Sequence, residues 1–248
     1  MTCAPKLDTP QSPMGRRGFV RTAVGAWVLA STAPSSGQVE TISSSLTKEE
    51  RDRMTPDQVI AEMKKGNERF RAGKMVPRDY LAQKRSSASG QFPAAVVLGC
   101  VDSRAPAELL FDVGIGDTFN ARIAGNVVND DLLGSMEFAC AVAGAKAVVV
   151  FGHTACGAVK GAIDDVEMGN LTGLLARIKP AISATTFDGE KSSKNAAYVD
   201  AVARTNVVVA LDNVRRRSPI LADLEKKGSI RVAGAMYDLA TGKVEFIA

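Results

Sequence analysis

Two short apolar runs, Ala94 to Gly99 and Ala145 to Phe151, each lead within two residues to a side chain with metal-binding chemistry: Cys100 after the first, His153 after the second. Runs of this length fit strands buried on both faces. A further strand is expected at Thr118 to Ile123, and the helical stretch Leu132 to Val142 connects it to the run at 145. Strand alternating with helix predicts an α/β fold, a mainly parallel sheet flanked by crossover helices. Open sheets of this kind place their ligands just past the carboxyl ends of the strands, where Cys100 and His153 fall.

His153 is the only histidine of the 248-residue chain, and Cys156 follows it in FGHTACG. Two soft thiolates and one imidazole suffice for Zn²⁺, and three protein ligands rather than four leave one tetrahedral corner for water, which separates a catalytic site from a closed structural one. His153 and Cys156 share one face if a helix starts there. In CVDSR, Cys100, Asp102 and Arg104 alternate along the chain and point to one side if the backbone stays extended. Arg104 then holds Asp102 in a bidentate pair, keeping the carboxylate ionised and off the metal. The chain reads as a zinc enzyme.

The remainder continues in kind. Thr55-Pro56-Asp57-Gln58 has the form of a capping box with proline in the first turn, and Val59, Ile60, Met63 and Phe70 give a helical stripe ending near Gly73. Such a helix packs on its own core or on a partner subunit. Helices are expected at about 155–165, 171–183, 194–216 and 219–227, and strands near 230–236 and 243–247, the last two flanking turn residues as a hairpin-like edge. GIGDTF at 114–119 precedes a strand rather than a helix and lacks the spacing of a dinucleotide fingerprint.

Residues 1–33 read as an export signal: a basic stretch, GRRGFVRT, then the apolar run Thr22 to Ala30, then small residues Ser31-Thr32-Ala33. Paired Arg16-Arg17 resembles the twin-arginine type, which implies a periplasmic destination. The apolar run is shorter than the roughly 20 residues needed to span a bilayer, so no stable membrane insertion is expected. Residues 34–53 look like a flexible leader, leaving 54–248 as one zinc-dependent catalytic domain. Without the signal the chain carries 27 basic against 26 acidic residues, a balance that argues against a nucleic-acid partner. Cys3 and the only tryptophan, Trp27, leave with the signal, and Cys140, set among alanines and a valine, is expected as a buried helical thiol.

The two metal motifs, with GNERF in the first helix, RIAGN at 122–126, SMEFA at 135–139 and GHTACGAVKGA at 152–162, resemble the β-class carbonic anhydrases from about Thr55 to the last strand. The resemblance implies reversible hydration of carbon dioxide to bicarbonate by zinc-bound hydroxide, with one Zn²⁺ per chain on Cys100, His153 and Cys156. Asp102, paired with Arg104, would orient the hydroxide. Gln91 matches a glutamine that bonds substrate across a dimer interface in the plant-like branch. Phe119 matches an apolar pocket wall, Phe138 stands where many relatives have a tyrosine, and Gly157 closes the second motif on the substrate side. A homodimer, or dimers paired into a homotetramer, is implied with the site at the interface. The absence of tryptophan from the mature chain favours an open, plant-like resting site over a bicarbonate-locked one. No second histidine remains to shuttle protons. Hydrolysis of carbon disulfide or carbonyl sulfide would use the same attack on a linear molecule. A zinc-stabilised scaffold would have no use for the Asp102–Arg104 pair.

Overall fold

The computed structural model describes residues 40–247; the expected signal, with Cys3 and Trp27, and the start of the expected leader lie outside them. Five strands form one sheet in the order β2-β1-β3-β4-β5: β1 (Ala95–Gly99), β2 (Thr118–Arg122), β3 (Ala147–His153), β4 (Arg231–Tyr237) and β5 (Val244–Phe246). The first four are parallel and β5 joins β4 antiparallel, as the hairpin-like edge anticipated. β1 and β3 are buried along their whole lengths, which explains why they read as unbroken apolar runs rather than alternating ones.

The sheet separates two apolar layers. Side chains of Val96, Leu98, Val148, Val150 and Val232 pack on one face against Val199, Val202, Val207, Leu211 and Val214 of the long helix Ala196–Arg217, here α9. Alternate residues Ala95, Val97, Val149, Phe151 and Ala235 pack on the other against Val59, Ile60 and Met63 of Pro56–Arg71, here α2. Thr55 closes the expected capping box on Gln58, and the buried stripe of α2 lies on the chain's own core.

GNERF turns out to be a packing device. A Cβ at Gly66 would stand 1.8 Å from the carbonyl oxygen of Phe111, so only glycine lets α2 sit this close. Asn67, buried beside it, donates to Leu110 O at 3.1 Å and Gly242 O at 3.0 Å and accepts from Val244 N–H at 2.9 Å. Gly66→Ala is expected to destabilise the protein by about 3 kcal/mol or more, the upper end for overpacking, against about 1 kcal/mol gained in helix propensity. A lower urea midpoint with unchanged slope would register it; an unchanged midpoint would mean that α2 shifts freely.

Two boundaries differ from expectation. Helix α1 (Lys48–Arg53) occupies the end of the expected leader: Thr47 and Glu50 form a reciprocal capping box, and Arg51 is buried, donating to the Ala143 carbonyl. The ordered domain therefore begins before residue 54, and six residues are too few for a periodic signal. The single helix expected at 171–183 is two, α7 (Gly169–Ala176) and α8 (Lys179–Ala184), with Pro180 in the first turn of α8; proline lacks the N–H that a continuous helix would need there. The remaining helices are α3 (Tyr80–Ser86), α4 (Ala107–Leu110), α5 (Asp130–Glu137), α6 (Gly157–Ile163) and α10 (Pro219–Lys226).

Helix α5 runs on through a π-helical turn, Phe138–Val142, that carries Cys140. Burial pushes the Cys140 thiol up to about 12, so little thiolate forms near neutrality. Cys140 is expected to escape alkylation at about pH 8 in the native protein and to react in denaturant, as peptide mass mapping would show; native labelling would contradict its burial.

Candidate metal centre

The strand order 2-1-3-4-5 reverses direction between β1 and β3, and ligand sites form at such switch points. Gly99 pairs with Phe151 in the register of β1 and β3, so the residues leaving both strands are level. Cys100 follows β1, His153 ends β3 and Cys156 precedes α6. Their ligand atoms lie within 4.8 Å of one another, and all three side chains are buried.

The imidazole is set for a metal. Its Nδ1 lies 2.9 Å from the carbonyl oxygen of Thr154; as a donor there it leaves the lone pair on Nε2, the arrangement in which an outer bond fixes a metal-binding tautomer. Nε2 is buried and has no hydrogen-bond partner, an orphan that an interior rarely tolerates. The thiols make the same point. A hydrogen bond from Cys156 draws the Cys100 thiol well down, and that contact, with burial, pushes Cys156 up. The pair thus accommodates one negative charge, and a second thiolate requires a cation between them. Two soft sulfurs, one imidazole and an unpartnered ring nitrogen fit Zn²⁺.

Asp102 stands beside this group without joining it. Its Oδ2 is 3.8 Å from His153 Nε2, while Arg104 Nε donates to Oδ1 at 3.0 Å and Nη2 to Oδ2 at 2.7 Å. The backbone N–H of Arg104 adds a bond to Oδ1 at 2.9 Å. The segment turns here rather than staying extended, and the dyad forms through that turn. Hydrogen bonds from Arg104 hold the Asp102 carboxyl far below the usual carboxylate range.

The His153–Cys156 pair also converges differently from the expected helical face. His153 belongs to β3 and α6 starts only at Gly157, with Ala155 between them in left-handed backbone at φ 53°. Gly157 is exposed at the start of α6, beside Cys156.

Other expected site residues lie apart within one chain. Phe119 pairs in register with Val96, four residues before Cys100, roughly 13 Å along the strand. It meets Phe138 edge-on at 6.1 Å between ring centroids. The two rings line an open cleft of about 740 Å³ with Asp131 and Ser135, at which none of the three metal-binding side chains appears. Gln91 is exposed on the loop that enters β1, also at the amino end of the sheet.

Residue-by-residue reading missed the groups that hold the ligands. Arg122 Nε donates to the Cys100 carbonyl at 2.8 Å, and its Nη2 donates to the Asp102 carbonyl. Gly125 N–H donates to Cys100 Sγ at 3.3 Å, and Asn206 of α9 holds the Gly125 carbonyl at 2.7 Å. Gly125 has φ 69°, and a Cβ there would stand 2.7 Å from Ile178 Cδ1. Arg122 and Gly125 lie in RIAGN, so the segment was a signal although its two roles were not legible.

A family model described as carbonic anhydrase matches residues 95–244. The chain is 36% identical over 185 residues to a carbonic anhydrase of Mycolicibacterium smegmatis, spanning 74% of this chain and 89% of that protein. It is 35% identical over 187 residues to carbonic anhydrase 2 of Mycobacterium tuberculosis, spanning 73% and 87%. Among solved structures, a Coccomyxa β-carbonic anhydrase in complex with acetazolamide superposes with TM-score 0.58 at 27% identity, over 65% of this chain and 74% of that one. A tetrameric β-carbonic anhydrase from Sordaria macrospora gives TM-score 0.58 at 26% identity, over 65% and 83%.

Proposed function

The chain belongs to the β-class carbonic anhydrases, and from that premise we propose that Cys100, His153 and Cys156 hold one zinc ion per chain for the reaction of the family. That reaction is the reversible hydration of carbon dioxide to bicarbonate and a proton, and the protein is a lyase. One observation carries the metal reading: the buried, unpartnered Nε2 of His153, tautomer fixed, between two thiols.

Zinc bound there supplies a Lewis acid that brings the pKa of water toward neutrality. The residues do the rest. Cys100 and Cys156 donate more charge than imidazoles would and so move that ionisation to higher pH. Asp102, held ionised by Arg104, can only accept a hydrogen bond, so it selects a proton-bearing nucleophile and aims its remaining lone pair at carbon dioxide. Burial of the three ligands keeps bulk water from competing with them.

The finer readings are proposals of the same kind. A second copy of the chain brings Gln91, Phe119 and Phe138 to the metal as polar end and apolar wall of the substrate pocket, which the separation of these residues from Cys100 within one chain supports. The assembly is a homodimer or homotetramer. The intact Asp102–Arg104 pair supports an open, plant-like resting site. The order of basic, apolar and small residues in 1–33 supports twin-arginine export to the periplasm. No helix among the described residues is long and apolar enough to cross a membrane.

Stopped-flow hydration assays from about pH 6.5 to 9 on zinc-quantified protein test the function. kcat/KM is expected to rise with pH through an apparent pKa above about 7. Asp102 contributes no limb to this profile: its depressed pKa keeps it ionised throughout, and its pair with Arg104 is lost only as pH falls through that folded-state value, below about 4. No turnover at any pH from protein with one zinc per chain would overturn the assignment and direct the search to carbon disulfide.

A further inference from the structure

The two residues between His153 and Cys156 are held by four hydrogen bonds. Thr154 N–H donates to the carbonyl of Tyr237 at 2.9 Å, Thr154 Oγ1 accepts from Leu239 N–H at 3.0 Å, and the Thr154 carbonyl accepts from His153 Nδ1 at 2.9 Å. The fourth hold falls on Ala155, whose N–H donates to Asp200 Oδ1 of α9 at 2.8 Å. Ala155 is a non-glycine residue in the left-handed region, φ 53°, where its Cβ crowds the backbone. Such a conformation persists only when its surroundings over-determine it.

We propose that Asp200 is a positioning residue for the metal centre: its carboxylate clamps the Ala155 amide and thereby sets the spacing of His153 and Cys156. Without the clamp, Ala155 relaxes toward ordinary negative φ, and Cys156 swings relative to the imidazole, because Ala155 adjoins Cys156 directly and only Thr154 separates it from His153. The Asp200 carboxylate bonds to the Ala155 amide and not to Cys100, His153 or Cys156. It is half-buried on the wall of a cleft that it shares with Thr154, Arg204 and Tyr237. The inference rests on the zinc reading above, and its test reads metal retention rather than turnover.

Asp200→Ala, Asp200→Asn, Ala155→Gly and the double variant Asp200→Ala/Ala155→Gly would be loaded with zinc and challenged with a chelator, following zinc release. Cobalt-substituted samples would report ligand geometry by their visible spectra. One zinc retained by the unaltered protein tests the metal reading; the ratios among variants test Asp200. Asp200→Ala is expected to release zinc roughly 10-fold faster, the lower range for outer groups that orient ligands, with a changed cobalt spectrum. Asp200→Asn, which keeps an acceptor oxygen, should stay within about 3-fold of the unaltered protein, as should the double variant, since glycine adopts positive φ without a clamp. If Asp200→Ala does not fold, recovery of both folding and zinc in the double variant supports the clamp. Release from Asp200→Ala at the unaltered rate, or failure of Ala155→Gly to restore retention, would overturn it.

Discussion

His153→Ala is expected to purify folded but with little zinc, and with carbon dioxide hydration reduced to background. The imidazole is the only nitrogen ligand and the only histidine, so no neighbour can substitute. Its loss leaves two buried thiols of which one prefers to stay protonated, a donor set too poor to hold a catalytic metal against cellular chelators. The side chain sits among the largest fully buried ones, so a destabilisation of about 2–4 kcal/mol accompanies the cavity. Circular dichroism, elemental analysis and stopped-flow assay on the same preparation separate these effects. Full zinc with His153 absent would mean that the metal lies elsewhere.

Asp102→Asn should behave differently: zinc retained near one per chain, the fold unchanged, and kcat/KM lowered roughly 100-fold, at the upper range for groups that orient ligands around a metal. The amide is nearly isosteric, so packing is preserved, but Arg104 loses its charged partner and the substituted side chain can offer an N–H where an acceptor is required. The deficit should persist across about pH 6.5 to 9, because it comes from a missing acceptor and not from a shifted ionisation. A variant with unchanged kcat/KM would reduce the pair to a loop salt bridge, and one that lost zinc would make Asp102 a support for the ligands.

Particular residues show where the sequence was legible. Cys100, Asp102, Arg104, His153 and Cys156 stand out because a short motif carries residue types with few alternative uses, and their strands show as unbroken apolar runs. Helix α1 escaped because six residues carry no period, although its Thr47–Glu50 capping box was present to be read. The break between α7 and α8 was marked by Pro180, and the helical period running through it masked the signal. Arg122, Asp200 and Asn206 escaped for a deeper reason. Each acts on backbone from another element, Asp200 across 45 positions and Asn206 across 81, and a side chain that will bond distant backbone looks like any other polar residue of its strand or helix.

The donors themselves, with their softness, were determined by the sequence alone, as was the alternation of elements that forces a parallel sheet. Tertiary structure decided whether those donors meet. Cys100 reaches His153 only because β1 and β3 are neighbours in matched register at the reversal of strand order, and a slip of one residue would turn either side chain to the opposite face. His153 and Cys156 converge through a left-handed Ala155 that local preference disfavours and that contacts from β4 and α9 sustain. Propensity and spacing are properties of neighbours along the chain, whereas register and enforced backbone conformation arise only when distant segments pack, so the chemistry was readable in advance and the geometry was not.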